Sequence, residues 1–261
     1  MAVFGNSMMV FNQKPIIPLD KLFSYYRFDN NFLDQRTANN ASGTNVAFQT
    51  SPKRAGTHSA KFDSGTGNPT ATPSYATIPY STDFDFGNGT NDRAFSISFW
   101  IFPTTNSTVN PIFFITKREQ DDNFEIQIVN DSNDRFRFFI ANDQRSTGGA
   151  LRRLMAYNTA AYTINTWQMV TATYDGNLGV NIYVNEAATT SVVNTNSFTI
   201  MKTYPQDITI GVAGFTKTNS RLSYKGNMDC LGFWNAELTP EQIGLIYQKG
   251  VNNLELIWKL N

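Results

Sequence analysis

The chain predicts an all-β fold, an antiparallel β-sandwich with one short C-terminal helix. Three observations carry this. Apolar residues recur with a period of two in segment after segment, as in strands with one buried face. Aromatics make up 14% of the chain and charged residues only 16%, so the polar balance falls to asparagine, threonine and serine, which favour turns between short strands. Helical periodicity occurs in a single stretch near the C-terminus. A length of 261 residues suits one large sandwich and can bury a core without cross-links.

The elements follow in order. Residues 1–19 form an apolar arm with Pro15 and Pro18 and no clear period. LFSYYRF (22–28) is the first strand, and YATIP (75–79) follows a long polar, glycine-rich region. In FSISFWIFP (95–103), Phe95, Ile97, Phe99 and Ile101 alternate with Ser96, Ser98, Trp100 and Phe102. IFFIT (112–116) is next. NFEIQIV (123–129) sets Phe124, Ile126 and Ile128 on one face, with Glu125 and Gln127 on the other. RFRFFIA (135–141) groups Phe136, Phe138 and Ile140, and Gly148-Gly149 with Arg145, Arg152 and Arg153 reads as a loop. WQMVTATY (167–174) and VNIYVN (180–185) are joined by Asp175-Gly176-Asn177, a strong turn signal. DITIGV (207–212) and the stretch beginning at Lys225 complete the strands. Thr239-Pro240-Glu241-Gln242 is a helix start: a cap, a proline at the first helical position and a glutamine three residues after the cap. Ile243, Ile246 and Tyr247 share its apolar face, and Gly250 is expected to stop it. The tail, 251–261, returns to alternation through Leu254, Leu256, Trp258 and Leu260.

Composition also excludes. The formal net charge is +0 with no basic run, which argues against nucleic-acid binding. No run of apolar residues is long enough to span a membrane, and the N-terminus lacks the basic start of a signal peptide. Cys230 is the single cysteine, so no intrachain disulfide forms and a buried apolar role is expected. His58 is the single histidine, which rules out a histidine zinc cluster and leaves a catalytic triad without a supporting motif.

Several segments occur in an order that resembles the laminin-G-like branch of the concanavalin-A-like lectin/glucanase jelly rolls. They are YYRFDNNFLDQRTANNASGTNVAF (25–48), AGTHSAKFDSG (55–65), FSISFWIFP, WQMVTATYDG (167–176), VNIYVNE (180–186) and GNMDCLGFWNAELTPEQI (226–243). The resemblance spans about 22 to 250 and implies a jelly-roll domain over 20–250. A polar insertion at 66–74 and Glu186, where the family usually has glycine, depart from the pattern. The fold serves enzymes, lectins and adhesion modules, so it does not fix function.

The candidate residues follow from this frame. Asp229 lies in the apolar run of GNMDCLGFW, and alternation puts it on one face with Leu231 and Phe233. The resemblance places that face inward, where a carboxylate must be paired or neutralised. One solution is calcium, which the resemblance locates between the early loop and this aspartate, with Asp34, Asn39 and Asp229 as ligands. Hydrogen bonds to a loop backbone are the other. A retaining glycosidase needs two close carboxylates. Glu125 is followed by Gln127 and Val129 at the next alternate positions, so that pair is missing, and Glu125 is expected to be solvated. For a sugar ligand the candidate stacking aromatics are Trp100, Tyr157 and Tyr162. The apolar arm and tail either pack back on the domain or dock on a partner, a second copy or another particle protein. The leading expectation is a non-catalytic subunit of a bacteriophage virion (capsid decoration, fibre or tail), assembled in the host cytoplasm and able to hold host-surface glycans. A stand-alone calcium-dependent carbohydrate-binding module comes second and a glycoside hydrolase third.

Overall fold

A computed structural model describes residues 15–63, 73–105, 112–120, 123–131, 135–145, 151–160, 162–188, 191–213, 223–254 and 256. The first fourteen residues of the arm and most of the alternating tail lie outside that set. Two antiparallel sheets form the sandwich. The first has the order β12-β11-β6-β15-β4-β3, with β1 also pairing with β15. Its members are β1 (Leu22–Tyr26), β3 (Val46–Gln49), β4 (Ser59–Phe62), β6 (Phe95–Pro103), β11 (Gln168–Tyr174), β12 (Val180–Val184) and β15 (Gly226–Trp234). The second has the order β13-β10-β9-β8-β7-β14-β5-β2. It comprises β2 (Ser42–Thr44), β5 (Tyr75–Ile78), β7 (Ile112–Gln120), β8 (Asn123–Asn130), β9 (Phe136–Arg145), β10 (Leu151–Asn158), β13 (Ser191–Thr195) and β14 (Ile208–Ile210). The helix α1 spans Pro240–Val251. Among the described residues no helix is long and apolar enough to cross a membrane.

The main core lies between the sheets. Phe95, Ile97, Phe99 and Ile101 of β6 meet Phe114, Ile128, Phe138 and Ile140 of the second sheet, as the alternation predicts. Asparagine supplies many of the left-handed turns: Asn30, Asn45, Asn165, Asn185 and Asn196 all have positive φ, a conformation this side chain tolerates. Asp175 closes the turn between β11 and β12 by accepting the N–H groups of Asn177 and Gly179. The helix start is as expected: Thr239 accepts from the Gln242 N–H, and the Gln242 side chain accepts from the Thr239 N–H.

Four expectations are corrected. First, the first sheet is buried on both faces. A second apolar cluster on its outer side joins Trp100, Met169, Tyr183 and Trp234 to Ile243 and Ile246 of α1. Alternation alone does not reveal that a helix returns over the solvent side. Second, Gly250 does not stop α1, which runs on to Val251 with Asn252 as its cap. A Cβ at Gly250 would lie 2.4 Å from the Trp100 ring, so the glycine permits helix and indole to touch. Third, residues 151–158 are not a loop but β10, paired along its length with β9 and β13. Fourth, β15 does not alternate evenly. Its register with β6 shifts between Asp229 and Gly232, and Cys230 takes φ of 54°. Met228, Leu231 and Phe233 therefore all face the main core, while Cys230 and Trp234 join the outer cluster. The bulge turns Asp229 away from the main core, beside its register partner Trp100.

Candidate functional site

Glu125 was expected in solvent and is fully buried. Lys117 pairs with Ile126 and Arg118 with Phe124, so Glu125 is the extra residue of a bulge on β8. A bulge re-aims its side chain. Here the carboxylate meets the Lys117 ammonium at 2.9 Å, and that ammonium also lies 3.0 Å from Asp85 Oδ1 and donates to the Phe84 carbonyl. The Tyr204 N–H and the Thr203 hydroxyl donate to the Glu125 carboxylate as well. Burial lifts Glu125 to about 7 against the pull of Lys117 and the Tyr204 N–H. An acid near neutrality is a common catalytic device, but a substrate cannot reach this one. Its oxygens are taken up by protein donors and its side chain is sealed, which makes it a structural ion pair.

Asp229 is buried on the outer side of the first sheet. Its Oδ2 accepts the N–H groups of Arg54 at 2.7 Å and Ala55 at 3.1 Å, and the Cys230 thiol donates to Oδ1. Burial pushes its carboxyl up to about 7, and these three donors pull it down. The loop thus fixed carries Arg54, whose guanidinium sits 4.3 Å from the centre of the Trp100 ring. Tyr247 of α1 stacks on the same indole at 5.4 Å.

The three proposed calcium ligands are held by different protein partners. Asp34 Oδ1 accepts from the Tyr25 and Arg36 N–H groups, and Oδ2 accepts from the Thr37 hydroxyl. The Asn39 side-chain amide donates to Thr37 and Asp83, and the backbone carbonyl of Asn39 accepts from the Tyr26 hydroxyl. Asp229 is held by the separate loop at 54–55. Both carboxylates accept protein hydrogen bonds, the alternative to calcium that the sequence leaves open. Among the described residues no three His, Cys, Asp or Glu side chains cluster as a cation site.

The sugar-stacking candidates separate by burial. Trp100 is 3% exposed beneath α1 and Arg54, and Tyr162 is 6% exposed against Phe114 and Phe136. Neither ring offers a face to a ligand, because the helix covers one and the main core takes the other. Tyr157 sits near the end of β10 rather than in a loop, and is half-buried on the outer face of the second sheet. Its register partners are Arg137 on β9 and Ser191 on β13. The Arg135 guanidinium lies 5.1 Å from the Tyr157 ring centre. Asp131 holds Arg135 at 3.0 Å and also pairs with Arg137. Further along this face, Met155 pairs with Phe139, and the Arg153 guanidinium lies 5.6 Å from the Phe139 ring centre. The sequence reading missed Arg137 and Arg153. The available signal was the alternation of Arg137 with the core phenylalanines of β9, together with Leu154 and Ala156 alternating beside Arg153.

This cation–aromatic face lies on a fold shared with known binding domains. A family model described as the concanavalin A-like lectin/glucanases superfamily matches residues 70–244. Domain 4 of AbnA, a GH43 extracellular arabinanase from Geobacillus stearothermophilus, solved in complex with arabinotriose, is similar at 16% identity and a TM-score of 0.56. The match covers 87% of this chain and 98% of that one. The botulinum neurotoxin serotype D ligand binding domain, in complex with N-acetylneuraminic acid, is similar at 15% identity and a TM-score of 0.59, over 88% of this chain and 51% of that one. The binding domain of Paraclostridial Mosquitocidal Protein 1 gives 14% identity and a TM-score of 0.62, over 87% and 52%. The chain thus spans about half the length of these two toxin domains. At such identities the likeness is one of fold. No curated protein matches in sequence. With two thirds of its length matched by the family model and both sheets in place, the chain belongs to the concanavalin A-like lectin/glucanase superfamily.

Proposed function

We propose that this chain is a non-catalytic glycan-binding module, with its binding surface on the outer face of the second sheet around Tyr157. The observation that carries the reading is the Tyr157 ring. It is the one stacking candidate of the three that reaches the surface, and it lies among hydrogen-bond donors on neighbouring strands. An amphipathic ring beside fixed polar groups suits a sugar, which presents an apolar face and a rim of hydroxyls. Related folds solved with arabinotriose and with N-acetylneuraminic acid support it. The sealed state of Glu125 supports the non-catalytic part. A glycan array tests the reading. Wild-type protein should bind at least one glycan class without hydrolysing it, and Tyr157→Ala should weaken that binding about tenfold or more. An array that stays blank, or a Tyr157→Ala protein that binds unchanged, refutes this placement.

A second reading draws on a different observation. An apolar groove of about 400 Å³ runs between the foot of the arm and the end of α1, lined by Ile16, Ile17, Leu19, Leu245, Leu254 and Leu256. Ile16 is 73% exposed there. This groove supports docking on a second copy of the chain, as a subunit of a bacteriophage virion would require. Light scattering should then find an oligomer for the full chain and a monomer for a chain starting at Asp20. A monomeric full chain removes the reading.

A further inference from the structure

We propose that the outer face of β8, β9 and β10 recognises an acidic sugar, one carrying a carboxylate or a sulfate, through Arg137 and Arg153. This rests on the glycan-binding reading of the same face and narrows its ligand class. Charge balance is the first argument. The chain as a whole is neutral, yet this patch brings Arg135, Arg137 and Arg153 close together, and the ion pairs of the first two both run to Asp131. Asp131 is engaged by Arg135 and Arg137, which leaves Arg153 with no carboxylate partner among the described residues.

Desolvation is the second. The Arg137 side chain is only 25% exposed, and the Nε atoms of Arg137 and Arg153 are buried without a hydrogen-bond partner. Burial first, then repulsion from Arg135 and Arg153, hold Arg137 below the usual guanidinium range despite Asp131. Like charges partly removed from water are costly unless an anion pairs with them. Perturbed ionisable groups of this kind cluster at functional sites.

Shape is the third. Arg137 stands across from Tyr157, while Arg153 lies four residues earlier on β10 and leans over Phe139, two residues along β9 from Arg137. The two guanidiniums flank an apolar floor of Phe139 and Met155, with the Tyr157 ring at one end. Guanidinium forks match carboxylate and sulfate oxygens in pairs, and an ammonium does not. Phe139 is buried, so the half-buried Tyr157 is the ring a sugar would meet.

The test is calorimetric titration of the full chain with matched pairs: sialyllactose against lactose, and a galacturonate trimer against a galactose trimer, with inorganic sulfate as the ring-free control. The acidic member of at least one pair should bind about tenfold tighter or more than its neutral partner. Its affinity should fall as salt rises from ~0.05 to ~0.5 M. Arg153→Gln should abolish the preference, and Arg153→Lys should restore less than half of the lost affinity. Melting curves identify a variant that has failed to fold, and the salt response of wild type judges the proposal without any variant. Neutral sugars bound as tightly as acidic ones overturn the acidic-ligand proposal and leave the glycan reading standing. Binding of none of the sugars overturns both. Sulfate bound as tightly as sialyllactose overturns the sugar part and marks a simple anion site.

Discussion

Asp229→Asn should stabilise the protein near neutrality and have little effect in acid. The carboxyl is buried, and burial lifts it from 3.8 to about 7. Between those values the folded protein keeps a proton that the unfolded chain has released. Wild-type stability from this group is therefore complete below about pH 4 and is lost as pH rises to about 7. A rise from 3.8 to about 7 corresponds to about 4 kcal/mol. Asparagine fits the same space. Its carbonyl can accept the Arg54 and Ala55 N–H groups where Oδ2 now does, and its amide replaces the acid beside the Cys230 sulfur. It carries no titrating proton, so the variant should gain on wild type by about 4 kcal/mol between about pH 4 and about pH 8. Urea unfolding of both proteins at the two pH values measures this directly. If the difference between variant and wild type is the same at both, Asp229 titrates as it does in the unfolded chain and the reasoning is refuted.

Two further outcomes are expected. Lys117→Met should cost about 3–5 kcal/mol near pH 8, because it strands the buried Glu125 carboxylate. The cost should shrink near about pH 5, where Glu125, already raised to about 7, takes up a proton, and adding Glu125→Gln should recover most of the loss. A loss that is equal in urea melts at both pH values contradicts this. Gly250→Ala should lower the melting temperature although alanine is the better helix former by about 1 kcal/mol. Its methyl would sit 2.4–2.6 Å from atoms of the buried Trp100 ring, and such overpacking costs about 1–3 kcal/mol. A raised melting temperature with unchanged tryptophan emission counts against the proposed contact.

Legibility followed the range of the interaction. The core face of β6 was readable because Phe95, Ile97, Phe99 and Ile101 repeat at the pitch of a strand, and the pitch is local. The cap of α1 was readable because Thr239 and Gln242 satisfy each other three residues apart. Bulges were not. The register shift at Cys230 reverses the inward assignment of Asp229, and the one at Glu125 turns an expected surface acid into a buried ion pair. Nothing in either run of side chains announces an extra residue, because a bulge is a property of two strands. The strand β10 was lost because Arg152-Arg153 breaks its alternation, and the arginine that faces outward there is the one now assigned to ligand binding.

By itself, then, the sequence determined a two-sheet antiparallel fold, its core-facing stripes, the position of its helix and the superfamily to which its motifs point. These depend on periodicity and on contacts a few residues apart. The tertiary structure decided which faces are covered and which polar groups meet. Only packing shows that α1 returns to bury Trp100 and that the loop at 54–55 binds Asp229. Only strand pairing sets Arg137 across from Tyr157 and brings Arg153 over Phe139. Those meetings join residues far apart in the chain, and a linear order carries no record of distance across a sheet.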